Sequence, residues 1–382
     1  MQPQFVRTFV SASVLLLGLF FVFTLIIDPY GVSPISISHE RVNQFKPARI
    51  DIDRLIKPFE VWRYQPKTIF LGSSRVQQGF DPSVMNGSRF APAYNASIPA
   101  STVALNVSNL KAYVALDRQL KTVIFELFLY PFIKAKNSAF VDRQQDQKFN
   151  FLESATMLFA SWDALRASGE TLFHNLVRNT PVYEIKPGGY FYYPPGHDAK
   201  SLFTGFAAGI WKLQDTRPDM QLDPDAFESL REIVDICRKN NLELILLLTP
   251  NHAYDDFYVD SVGAWGLMKE WLDRITNVAT VYSFSQPNAW VNEPVSSHMT
   301  YWNDPYHFTL EMGRQIQLKL IGSRSEVGPD NFMVRLTANG VAEHIEQRRQ
   351  AVRQWAQTEK EFIARFDEER RKWMASKESG NK

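Results

Sequence analysis

A chain of 382 residues with 45% hydrophobic and 13% aromatic content can fill the core of one large domain or two ordinary ones, which excludes a disordered protein. Its 42 basic residues stand against 41 acidic ones, so at a net charge of +1 no global field draws it to nucleic acid or to an acidic surface. The single cysteine, Cys237, excludes an internal disulfide and a thiolate metal cluster, and its helical surroundings make it a core residue.

In chain order, the run "TFVSASVLLLGLFFVFTLII" from Thr8 to Ile27 holds no charge. It matches the roughly 20 residues that an α-helix needs to cross a hydrocarbon core of roughly 30 Å. It predicts a membrane anchor over residues 8–28 behind a short tail, 1–7. A cleaved signal peptide is the rival reading, but its apolar region would be shorter and would end in a small-x-small site, whereas this one runs into "IIDPYGV". Arg7 precedes the span, and Arg41, Lys46, Arg49 and Arg54 follow it, so basic residues alone leave the orientation open.

After the anchor, "KTIFLGSSR" gives a strand over about 67–72 whose unbroken apolar run suits burial on both faces. A short strand in "APAYNAS", a helix from Ser101 to about Leu116 and a β-branched strand in "LKTVIFELFLY" follow. Then come a helix near 226–240, a strand from Leu242 to Pro250, a helix over 263–276, a strand in "ATVYSF" and a helix from Thr309 to about Leu320. Strands alternating with helices predict a parallel sheet covered on both faces, within a body spanning 29–330. Residues 133–225 break the alternation and read as an insertion, with a helix near 152–178 and the aromatic hairpin or loop "KPGGYFYYPPG". From 331 to 382 a charged helix is expected, because Ile345, Val352, Trp355, Phe362, Phe366 and Trp373 recur at helical steps as a narrow apolar stripe. That stripe would dock on the body or on a second copy, with a membrane surface as the poorer option.

In a parallel sheet, ligands bind beyond the carboxyl ends of the strands, and Gly72-Ser73-Ser74 stands at such an end. A serine becomes a nucleophile only beside a base that a carboxylate orients. Of the seven histidines, one carries a carboxylate at suitable spacing, in "YWNDPYHFT", where Asp304 precedes His307 by three residues. A plain turn or helix N-cap at Gly-Ser-Ser, and a helix-capping Asp304, are the competing structural readings.

"FLGSSR" followed far downstream by "DPYHFT" resembles the first and last motif blocks of the SGNH (GDSL-like) hydrolase superfamily. The layout is similar to its membrane-anchored bacterial branch, which includes the alginate O-acetylation proteins and the protein of teichoic-acid D-alanylation. The resemblance covers about residues 60 to 322. It implies a three-layer αβα sandwich on a five-stranded parallel sheet, with Ser74 as nucleophile, His307 as base and Asp304 as its orienter. It also implies an oxyanion hole from the backbone N–H of Ser74 and of Ala100, the latter standing where the family has glycine in the second block. The third block departs, because "FELFLYPF" has no Gly-x-Asn-Asp and so no side-chain donor there.

Candidate substrate contacts are Arg75, Asn95, His252, Tyr190, Tyr192 and Trp211. Each has a structural rival: an ion pair for Arg75, turn hydrogen bonds for Asn95, and a hydrogen-bonded loop or a metal ligand beside Asp255 or Asp256 for His252. The aromatics either stack on sugar rings or pack under their loop. No His-Glu-x-x-His spacing occurs, so no metal is expected, and no soluble cofactor is implied. The resemblance implies acyl transfer to or from an envelope or secreted polysaccharide, a multi-span membrane acyltransferase as partner, and a body on the outer side of a bacterial inner membrane held by residues 8–27. The tail helix would be the surface for any homo-oligomer. A plain esterase is the rival within the enzyme class. A catalytically silent polysaccharide-binding or scaffolding protein is the rival outside it.

Overall fold

The computed structural model describes residues 3–134, 149–177, 184–192, 200–201, 203–205, 220–323, 328–365, 367–368 and 371. Helix α1 (Pro3–Ile27) is, among the described residues, the one helix long and apolar enough to cross a membrane. Next come α2 (Asp53–Tyr64), β1 (Thr68–Leu71), α3 (Ser74–Gly79), β2 (Ala93–Asn95), α4 (Val103–Leu116) and β3 (Thr122–Leu127). The insertion contributes α5 (Phe151–Phe159), α6 (Trp162–Leu176) and an antiparallel hairpin, β4 (Glu184–Ile185) with β5 (Phe191–Tyr192). The rest is α7 (Pro224–Lys239), β6 (Glu243–Leu248), α8 (Ala253–Ser261), α9 (Trp265–Val278), β7 (Val281–Ser283), α10 (Leu310–Leu320), β8 (Val334–Leu336) and α11 (Val341–Thr358).

The fold is α/β, on a six-stranded sheet of order β2-β1-β3-β6-β7-β8. Five strands run parallel, and β8 pairs antiparallel with β7 through Val281↔Leu336 and Ser283↔Val334. The sheet is therefore mixed, not wholly parallel. Its sixth strand comes from the segment expected to be only helical, and sits at the edge, where antiparallel pairing asks for no crossover helix.

Alternate residues of each central strand feed two separate cores, as the two-residue side-chain period requires. Ile69, Leu71, Val123, Phe125, Leu246 and Leu248 join the core shared with α4, α7, α8, α9 and α11. Phe70, Ile124, Ile245 and Leu247 join the other core, which is completed from α3, α10 and the loop residues Trp302 and Phe308. The helix expected near 152–178 is broken in two at Ser161, whose hydroxyl accepts from Ala164 N at 3.1 Å and starts α6. The apolar stripe of α11 covers this chain's own body: Val341, Ile345, Val352 and Trp355 are buried in the first core. Phe366 and Trp373 lie outside the described residues.

Candidate active site

The site forms where β1, β3 and β6 end on one edge of the sheet. Gly72 follows β1, and its need for glycine is steric, since a Cβ there would meet Glu126 Oε2 at 2.6 Å. Ser73 caps α3, its Oγ accepting from Arg75 N at 3.3 Å. Both its N–H and its hydroxyl donate to Glu126 Oε2, each at 2.8 Å. The other oxygen of Glu126 accepts from Thr249 Oγ1 at 3.1 Å, just beyond β6. One buried carboxylate on β3 thus holds the turn after β1 to the end of β6.

Ser74, next in the chain, is turned the other way. Its Oγ lies 2.8 Å from His307 Nε2. His307 Nδ1 lies 2.7 Å from Asp304 Oδ2. The second oxygen of Asp304 accepts from the backbone N–H of Tyr306 (2.8 Å) and His307 (2.9 Å), so the carboxylate is fixed before it orients the ring. Asn303 N donates to His307 O at 2.9 Å, and Trp302 pairs with Phe308 across the loop. Asp304 does not cap the following helix, because Thr309 does so by accepting from Met312 N. A carboxylate only accepts, so neutral His307 carries its proton on Nδ1 and leaves Nε2 to take the Ser74 proton. This arrangement can run general-base attack by a serine hydroxyl.

Two glycines keep serine and histidine together. Helix α3 begins at Ser74 and α10 follows His307, and a Cβ on Gly313 would stand 1.6 Å from Gly79 O. A Cβ on Gly79 would overlap the ring of Phe308 at 1.9 Å. The backbones of the two helices touch there, with no side chain between them.

Ala100 occupies the third position of the turn Ile98–Ser101, closed by Ser101 N donating to Ile98 O at 3.3 Å, with φ at +53°. That conformation favours glycine, which is why an alanine is unusual here. The turn is fastened beside the serine loop, since Ile98 N (3.1 Å) and Ser101 Oγ (2.7 Å) both donate to Gly72 O. The turn's own hydrogen bond does not use the Ala100 N–H. Ser74 opens α3, where an N–H has no acceptor within the helix.

The remaining candidates face elsewhere. Arg75 is 2% exposed, donates to Tyr306 O at 3.0 Å and to Pro250 O, and lies 3.6 Å from Glu126 Oε1. Burial pulls its affinity for the proton down against the pull of Glu126. It ties the histidine loop to the ends of β3 and β6 and shows a substrate no charge. Asn95 is fully buried and its amide donates to Val76 O (2.8 Å) and Phe80 O (2.9 Å), closing the end of α3. His252 is also buried, accepting from Tyr254 N at 3.0 Å to cap α8 and pairing through Nε2 with Glu293 O at 2.8 Å. Desolvation pushes its pKa down to about 4, so it is neutral. Tyr190 hydrogen-bonds Asp81, and burial followed by that carboxylate pushes its pKa up to about 12. Tyr192 lies under Lys186, whose ammonium is 4.8 Å from the ring centre. The hairpin itself is pinned to the sheet edge by Lys57, which donates to Asn95 O (2.7 Å) and Gly189 O (2.6 Å). Trp211 lies outside the described residues.

Glu126 is the site residue that sequence reasoning missed. Its signal was a lone charge inside the apolar run "VIFELFL". A second missed group stands behind the histidine loop, where Tyr306 Oη bonds Tyr130 Oη at 2.8 Å and Tyr130 donates to Asp255 Oδ1 at 2.9 Å. No family model matches the chain, and no curated protein does.

Proposed function

We propose that this chain is a membrane-anchored serine acyl-transfer enzyme, an O-acetyltransferase or acetylesterase acting on an envelope or secreted polysaccharide. The observation that carries the reading is the continuous Ser74–His307–Asp304 relay. The five parallel strands, with the serine after the first, support an SGNH-like layout. In this reading Ser74 Oγ attacks the ester carbonyl and passes its proton to His307 Nε2, while Asp304 stabilises the imidazolium. The backbone N–H groups of Ser74 and Ala100 take the carbonyl oxygen as it becomes an oxyanion. His307 returns the proton to the leaving alkoxide, giving an acyl-serine. An acceptor hydroxyl, from sugar or water, then gives its proton to His307 as its oxygen bonds the acyl carbon, and His307 returns that proton to Ser74 Oγ as the acyl–serine bond breaks. Helix α1 would hold the body on the outer face of a bacterial inner membrane, within reach of a multi-span acyltransferase that supplies the acyl group.

The test is turnover of an acetyl ester of a chromogenic phenol by the full-length protein in detergent. Wild type is expected to release the phenol, and Ser74→Ala and His307→Ala to lose at least about 1,000-fold. An inactive wild type whose Ser74 also resists a serine-reactive phosphonate overturns the enzyme reading.

A further inference from the structure

The helix pair α5–α6 carries a surface that the catalytic reading does not use. On α6, Trp162, Leu165, Leu172, Phe173 and Leu176 fall within one arc of the helix, and the charged Asp163, Arg166 and Glu170 fill the arc beside it. Trp162 is 77% exposed and Phe173 62%, while Ala164, Ala167, Ser168 and Thr171 on the far side are buried. Isolated apolar residues at a surface are ordinary, but a contiguous stripe on one helix marks a contact.

Both ends of α6 are tied to the end of α1. At the near end, Thr24 Oγ1 of α1 donates to Phe159 O, the last residue of α5, at 2.6 Å. At the far end, Asn175 exchanges hydrogen bonds with the backbone of Phe45, both at 2.9 Å, and the next residue, Lys46, donates to Asp28 O at 2.6 Å. Thr24 and Asp28 are four residues apart, about 6 Å along the axis of α1, whereas α6 has 15 residues and is about 22 Å long. Both ends of α6 are therefore linked to the last turn of α1 and the residue after it, where the apolar run ends. At the corner between α5 and α6 two backbone carbonyls are met within the chain, Thr156 O by Ala160 N (2.8 Å) and Met157 O by Ser161 Oγ (2.6 Å), which lowers the cost of a lipid setting.

We infer that α6 and the end of α5 are embedded in the leaflet from which α1 emerges, with the stripe from Trp162 to Leu176 among the acyl chains and the charged arc among the headgroups. The inference rests on α1 being the membrane anchor. A helix with separate apolar and charged faces lies in the interfacial plane, sunk about 5–10 Å. A second attachment beside α1 stops the body from swinging about a single tether, so the site keeps one height above the bilayer.

The test uses the full-length protein in vesicles of phosphatidylcholine and phosphatidylglycerol, with an environment-sensitive fluorophore on single introduced cysteines. The native Cys237 thiol is buried and stays unlabelled. Labels go on Trp162→Cys and Phe173→Cys, on Leu16→Cys within α1, and on Arg238→Cys of α7 as the aqueous control. Lipids carry a nitroxide either near the headgroup or deep in the chain. The labels at 162 and 173 are expected to lose most of their emission to the shallow nitroxide, the label at 16 to the deep one, and the label at 238 to neither. Quenching at 16 with bright labels at 162 and 173 leaves the anchor standing, overturns the inference and assigns the stripe to a protein partner. A bright label at 16 removes the anchor and the inference with it. As a check with a native-like side chain, Trp162→Phe should reduce the quenching of intrinsic fluorescence by brominated lipid; unchanged quenching also counts against the inference.

Discussion

His252 shows how a histidine in an inviting loop can serve the fold instead of a substrate. Burial opposes the charge and outweighs the pull of the Glu293 carbonyl, which holds its pKa near 4, and its Nδ1 accepts the Tyr254 N–H in the neutral ring. Above about pH 6.5 neither the folded nor the unfolded state binds this proton. Between 6.5 and 4 the unfolded chain binds it and the folded one does not, so acidification favours unfolding by about 1.4 kcal/mol per pH unit. His252→Asn keeps a capping acceptor and removes the titration. In urea melts, the stability of that variant relative to wild type should therefore rise by about 3 kcal/mol from pH 7 to pH 4. A constant difference across that range would mean that His252 titrates in the fold as it does in the unfolded chain.

Among the elements, the contact between α3 and α10 decides whether serine and histidine meet. At Gly313 an added methyl collides with the backbone oxygen of Gly79, which cannot rotate aside. Gly313→Ala should cost about 1–3 kcal/mol of stability, the usual range for overpacking, and push His307 out of reach of Ser74. Gly266→Ala, in α9, is the control, since nothing lies within 4 Å of its Cβ and alanine favours a helix by about 1 kcal/mol. Thermal melts and ester turnover of both variants check this. Loss of turnover in Gly313→Ala with an unchanged melting temperature would show that the contact positions the relay more than it supports the fold.

For the whole molecule, the C-terminal segment closes the body. Strand β8 finishes the sheet, and α11 packs on α8 and α9, where Arg348 Nε donates to Asp256 Oδ2 at 3.0 Å and a second guanidinium N–H reaches the other oxygen. Arg348 is 2% exposed. Removing one partner of a buried ion pair leaves the other charge without compensation, so Arg348→Ala should lose about 3–5 kcal/mol by urea unfolding. Replacing both, Arg348→Met with Asp256→Leu, should recover most of that loss, because two packed apolar groups carry no charge to desolvate. A double variant as unstable as Arg348→Ala would assign the role of Arg348 to its stem packing.

The sequence by itself determined the apolar N-terminal span, the alternation of strand and helix, and the pairing of a serine after the first strand with an aspartate–histidine loop near the last. Those features are legible because they rest on periodicity and short spacing, which depend on residues close together in the chain. Tertiary structure alone decided the antiparallel sixth strand, the split of the insertion helix at Ser161 and the inward course of Arg75, His252 and Asn95. It also decided why Gly72 and Gly313 are glycines, since Glu126 and Gly79 reach them from positions far along the chain. A charge in a strand or a glycine in a helix has no meaning by itself. Its role is set by the atom that packing brings opposite it.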